Sequence, residues 1–115
     1  DFDDTARSLE SGKIEIIREN KVSICDALLV NKPGQLTFSI NKNLLSKGLT
    51  VSDKVIERAM AFAFINEKLV LEPGGAAALA AILDNKINLS GKNVVVVLSG
   101  GNVDPNTFKK VLEHY

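Results

Sequence analysis

The alternation of apolar and polar positions predicts short helices separated by extended segments. Residues 3–10 begin with acidic and hydroxyl side chains, which free backbone N–H groups favour, and Gly12 comes after them as a stop, so this stretch predicts a short helix. Residues 13–19 alternate, with Ile14 and Ile16 on one face and Lys13, Glu15 and Ile17 on the other, a weak strand pattern. Residues 21–32 show no clear period, and Asn31-Lys32-Pro33-Gly34 reads as a turn. Leu36, Ile40, Leu44 and Leu45 follow helical spacing, with Gly48 as the expected stop. After a short extended piece at residues 49–51, Ser52 is a good N-cap for the longest helix, whose apolar stripe is Val55, Ile56, Ala59, Met60, Ala63 and Phe64. Glu72-Pro73 opens another helix, with proline where a missing N–H costs nothing. Its body, residues 74–81, is unusually small, so its backbone can approach a sheet or a ligand closely. The β-branched run at residues 94–98 predicts a strand buried on both faces, as in a parallel sheet. Asp104-Pro105 then caps a last helix carrying Phe108, Val111 and Leu112. With no repeats or linkers, one domain over residues 1–115 is expected.

Charge and composition remove several classes of function. Fourteen basic and fourteen acidic side chains among 115 residues give no excess charge to neutralise phosphates, so a nucleic-acid polymer is not an expected partner. No run of about 18 apolar residues offers a membrane span. The single cysteine, Cys25, cannot form an internal disulfide, which fits a reducing compartment. The chain opens at Asp1 and its only methionine is Met60, which leads us to expect a piece of a longer protein. The strand count agrees, because one strong strand needs neighbours on both edges.

Three places can carry chemistry. Ser99-Gly100-Gly101-Asn102-Val103-Asp104-Pro105 lies at the carboxyl end of the β-branched run and before a helix, where open α/β sheets bind ligands. Its glycines permit close approach to the backbone, and Ser99 offers a hydroxyl that donates or accepts. The plainer alternative is a tight turn capped by Asp104. Glu72-Pro73-Gly74-Gly75 places a carboxylate at a helix start, which faces a site or simply favours the positive helix end. Asp1, Asp3 and Asp4 suit a hard cation by chemistry, but are more simply a solvated helix N-terminus. His114 is expected to be exposed. Cys25, with no histidine near it in sequence, is expected to be a buried small hydrophobe.

Five blocks in order carry a resemblance: residues 3–9 (Asp3-Asp4-Thr5-Ala6-Arg7-Ser8-Leu9), residues 23–28, residues 33–38 (Pro33-Gly34-Gln35-Leu36-Thr37-Phe38), residues 70–76 around Glu72-Pro73-Gly74-Gly75, and residues 97–104 around Ser99-Gly100-Gly101-Asn102. Over nearly its whole length the chain resembles the C-terminal third of the threonine dehydratase and serine racemase family, pyridoxal-phosphate enzymes of the tryptophan synthase β-like fold (fold type II). The resemblance implies an α/β segment, the C-terminal part of the large, cofactor-binding domain, with an incomplete parallel sheet and flanking helices. It implies that Ser99 hydrogen-bonds the pyridine nitrogen of pyridoxal 5'-phosphate. A neutral hydroxyl there does not enforce a protonated ring, so the ring is a weaker electron sink, which suits loss of a β-hydroxyl. It also implies cofactor-pocket positions for Ala27, Glu72 and Gly100. Asp4 and the Phe2 carbonyl match part of a divalent-cation site, for magnesium or calcium, in the serine racemase branch. Asn102 matches a position that contacts a nucleotide effector, AMP or ATP, in some members.

The Schiff-base lysine motif, the Gly-rich phosphate loop and the small domain of that family have no counterpart in these residues, so these residues alone are expected not to turn over substrate. The implied activity of the longer protein is dehydration of L-threonine or L-serine to a 2-oxo acid and ammonia. Serine racemase and 3-hydroxyaspartate dehydratase are close alternatives. A non-catalytic α/β module that binds a partner or a nucleotide at the 99–102 loop is the alternative from another class. The resemblance further implies an amino-acid substrate, a cytoplasmic location, homo-oligomers, and dependence on the missing N-terminal part of the enzyme.

Overall fold

A computed structural model describes residues 2–17 and 21–115. Asp1, and the end of the alternating stretch at Arg18 and Glu19, lie outside the described residues. The helices are α1 (Asp4–Ser11), α2 (Gln35–Leu44), α3 (Asp53–Glu67), α4 (Pro73–Leu83) and α5 (Pro105–His114), with one 3-10 turn at Asp26–Leu28. The residues form two compact units, one of residues 1–23 and 27–50, the other of residues 24–26 and 51–115.

In the first unit, α1 ends at Gly12 in the left-handed region (φ 71°), as its sequence predicts. Arg7 fastens the helix to the segment after it. Its Nε donates to Asp3 Oδ1 at 3.0 Å and its Nη2 to the Ile16 carbonyl at 2.9 Å. Buried Ser8 accepts the Glu15 N–H at 2.8 Å. Residues 13–17 form no strand ladder; the bond from Ile17 N–H to the Asn31 carbonyl is isolated.

α2 departs from its expected pattern. It stops at Leu44, before Gly48, and its buried residue is Phe38, while Leu36 is 76% exposed and Ile40 and Leu44 are exposed as well. Gly48 serves packing instead. A Cβ there would stand 2.6 Å from Ala6 Cα, so the chain after α2 lies directly on α1. Asp4 also departs from expectation. It is 3% exposed rather than solvated, with the Thr5 hydroxyl 3.5 Å from its Oδ2.

The second unit is three helices around one core. α3 contributes Ile56, Ala59, Met60, Ala61 and Ala63, α4 contributes Ala76 and Ala80, and α5 contributes Val111; Leu71 and Cys25 complete it. α3 packs on both α4 and α5. The small residues of α4 thus allow a close approach to α3, and at Gly75 to the backbone of Gly100. Phe64 meets Phe108 edge-on at 5.4 Å, a favourable aromatic geometry. α3 ends with Lys68 in the left-handed region, its N–H donating to the Ala63 and Phe64 carbonyls, and the Leu69 N–H also reaches Ala63.

Ser52 occupies the N-cap of α3 but its side chain makes no cap bond. Asp104 does cap α5, its Oδ1 accepting the Thr107 N–H at 2.9 Å. Asp104→Ala is expected to lower stability by about 1 kcal/mol, and Asp104→Asn by much less, read from denaturant midpoints.

The expected sheet is absent among the described residues. Residues 94–98 carry no strand ladder, and Val95 is 92% exposed, with Val94 and Val97 also exposed. The physical reason is that a strand is buried by its neighbours. A β-branched run states a preference for pairing, and no described segment pairs with this one.

Candidate functional site

The clearest constellation lies in the second unit, where the 99–102 loop meets the start of α4. Pro73 at the first turn fixes the helix entry, and Glu72 stands at its N-cap. The Glu72 N–H donates to the Gly100 carbonyl at 3.0 Å. The Glu72 side chain turns back, and its Oε2 accepts the Asn102 N–H at 3.0 Å. The glycines make this contact possible. A Cβ at Gly75 would stand 2.5 Å from the Gly100 carbonyl oxygen, one at Gly100 would stand 2.6 Å from Glu72 Cδ, and one at Gly101 would meet the Val70 carbonyl at 2.7 Å. At Gly75 and Gly101 backbone therefore lies directly on backbone, and at Gly100 it lies on the Glu72 carboxylate.

Ser99 precedes this clamp and is exposed. Asn102 is exposed too, with its backbone N–H committed to Glu72. The structure thus brings together Glu72, Gly100 and Asn102, with Ser99 adjacent in the chain. The contact that organises them, a carboxylate on an amide 30 residues away, is invisible to motif reading. The steric role of Gly75 is likewise not foreseen, although its place in a run of small residues is a signal.

Ala27, Asp4 and Phe2 belong to the first unit and are described by themselves. Ala27 is an exposed small residue in the 3-10 turn. Asp4 is buried near the half-buried Phe2, and among the described residues no three His, Cys, Asp or Glu side chains are placed to hold a metal. These donors alone do not make a cation site. Nearby, the Arg7 guanidinium hydrogen-bonded to Asp3 holds that carboxyl below the usual carboxylate range, against a small opposing effect of burial. Cys25 is buried and His114 exposed, as expected. No described helix is long and apolar enough to cross a membrane.

An exposed neutral hydroxyl, beside a backbone that two hydrogen bonds and three tight glycines hold, has the chemistry to meet a pyridine nitrogen. The residues present fit that part of a pyridoxal-phosphate site.

Comparison with known proteins points the same way. The family model described as pyridoxal-phosphate dependent enzyme matches residues 1–100. An L-threonine ammonia-lyase of Thermotoga maritima is 37% identical over 105 residues, covering 91% of this chain and 26% of that protein. A catabolic L-threonine dehydratase, TdcB, of Staphylococcus aureus is 41% identical over 95 residues, 80% of this chain and 28% of the relative. Among solved structures, a threonine deaminase from T.th. matches with a TM-score of 0.81 at 35% identity, over 89% of this chain and 36% of its own. The serine racemase of Dictyostelium discoideum matches with a TM-score of 0.78 at 38% identity, over 89% of this chain and 32% of its own. The chain spans about a quarter of the length of these curated relatives.

Proposed function

Because the chain belongs to the pyridoxal-phosphate dependent enzymes, we propose that it is part of an L-threonine or L-serine dehydratase in which Ser99 contacts the cofactor ring nitrogen. The observation that carries this reading is the family match over residues 1–100, with Ser99 exposed beside the loop that Glu72 holds. Pyridoxal phosphate, when bound, supplies the electron sink that makes a proton next to the amino group acidic. The chain's own residues do less conspicuous work. Ser99 would hold the ring nitrogen by a neutral hydrogen bond, which does not impose a full charge on it. Glu72, Gly75 and Gly100 fix where that hydroxyl stands. Asn102 presents an exposed side-chain amide to a nucleotide effector.

The names of the curated relatives support a threonine substrate. Serine racemase is the second reading, supported by the Dictyostelium discoideum match. Incubating the holoenzyme with L-threonine and L-serine separates them. Dehydration yields a 2-oxo acid and ammonia, racemisation yields the D-amino acid, and absence of both products rejects the two readings. Ser99→Ala in the holoenzyme is expected to weaken cofactor binding about tenfold and to shift the cofactor absorbance, as loss of one hydrogen bond to a ligand predicts. An unchanged dissociation constant and spectrum would sink the assignment of Ser99.

A further inference from the structure

We infer that Glu72 is a positioning residue, its carboxylate holding the 99–102 loop in the shape that presents the Ser99 hydroxyl; this rests on the proposed contact of Ser99 with the cofactor. Glu72 stands at the N-cap of α4, where a side chain normally serves its own helix, yet it makes no cap bond. It grips the loop at two points instead. Its N–H donates to the Gly100 carbonyl and its Oε2 accepts the Asn102 N–H, each at 3.0 Å. The two points flank Gly101, so this stretch of backbone cannot rotate without breaking one of them.

The carboxylate lies close against the loop, although its bond to Asn102 is exposed to solvent. A Cβ at Gly100 would lie 2.7 and 2.9 Å from the two carboxylate oxygens, so the carboxylate fills the space where any larger residue's side chain would begin. A hydrogen bond from a backbone amide to a carboxylate is stronger than one between neutral groups. It is mounted on a helix start fixed by Pro73, and sites built on regular elements hold their geometry better than sites on loops. With Oε2 on a backbone amide the carboxylate is placed to order the loop, a role distinct from proton exchange with a substrate.

The two roles respond differently to glutamine. An amide oxygen accepts the Asn102 N–H as a carboxylate does, but an amide cannot carry a titratable proton. The test compares Glu72→Gln, Glu72→Ala and Ser99→Ala in the holoenzyme, reading amide hydrogen exchange at Asn102 and the pyridoxal-phosphate dissociation constant. Glu72→Ala is expected to speed Asn102 exchange about tenfold or more, since a charge-assisted bond is lost. It should weaken cofactor binding as much as Ser99→Ala does, with no further loss in the double variant, because the two act through one contact. Glu72→Gln keeps an acceptor but loses the charge assistance, so it should fall between the parent and Glu72→Ala in both readouts. Unchanged exchange at Asn102 in Glu72→Ala, or a glutamine variant as impaired as the alanine variant, overturns the inference. Faster exchange in Glu72→Ala together with a silent Ser99→Ala overturns the reading of Ser99 while upholding Glu72 as the loop's anchor, so the two failures are told apart.

Discussion

Gly75→Ala in the holoenzyme is expected to lower stability by about 1–3 kcal/mol and to weaken cofactor binding with it. The sign is not obvious, because glycine to alanine inside a helix ordinarily gains about 1 kcal/mol. Steric contact decides against that gain here. The new methyl would stand 2.5 Å from the Gly100 carbonyl oxygen and 2.8 Å from the Gly100 nitrogen, and both are backbone atoms. A flexible side chain could swing away, but these atoms can move only if the 99–102 loop moves. Displacing Gly100 strains both bonds to Glu72. Urea unfolding midpoints and cofactor titration read the two effects. A variant more stable than the parent, with unchanged cofactor affinity, would show that the loop yields at no cost.

Met60→Ala is expected to cost about 2–5 kcal/mol. Met60 is fully buried, on α3, in the cluster to which α4 and α5 also contribute. Its neighbours Ala59, Ala63, Ala76 and Ala80 are small and carry little side chain that could fill the gap, so much of the cavity should persist. Met60→Leu, which nearly preserves volume, should cost less than about 1.5 kcal/mol. Denaturant midpoints at an unchanged slope check both. Equal losses for alanine and leucine would mean that shape rather than volume governs the site.

Much of the helical framework is legible in the sequence because its signals are local. Gly12, Ser52, Pro73 and Asp104 mark helix ends within a residue of where they fall. The stripe on α3 reports a core face because other helices cover it. The same kind of pattern misleads at α2, where Phe38 is inside and Leu36, Ile40 and Leu44 are outside. Spacing shows which residues share a face, but only a neighbour makes that face interior. Residues 94–98 fail for the same reason, their apolar character being a statement about partners that the described residues do not supply.

The candidate site divides along similar lines. Ser99, Glu72 and Gly100 stand out in the sequence as residue types in suggestive places. The bond from Asn102 to Glu72 and the contact of Gly75 with Gly100 arise only when the chain returns on itself. The burial of Asp4 is not legible, because an acidic run before a helix looks the same whether or not something covers it.

The division of the chain into two units has a consequence for dissecting the protein. Residues 24–26 belong with residues 51–115, although residues on both sides of them belong to the other unit. Cys25 sits in the second unit's core, and the Ile24 N–H donates to Asp53 Oδ2 at 3.1 Å at the start of α3. A protease nick or a gene split after Thr50 would therefore carry a core side chain away on the wrong piece. The downstream piece would keep all three of its helices and still lack a closed interior, so its refolding should depend on adding the upstream piece back. The alkylation rate of the Cys25 thiol would follow that recovery, because the residue is 5% exposed only when the three-residue inset is in place.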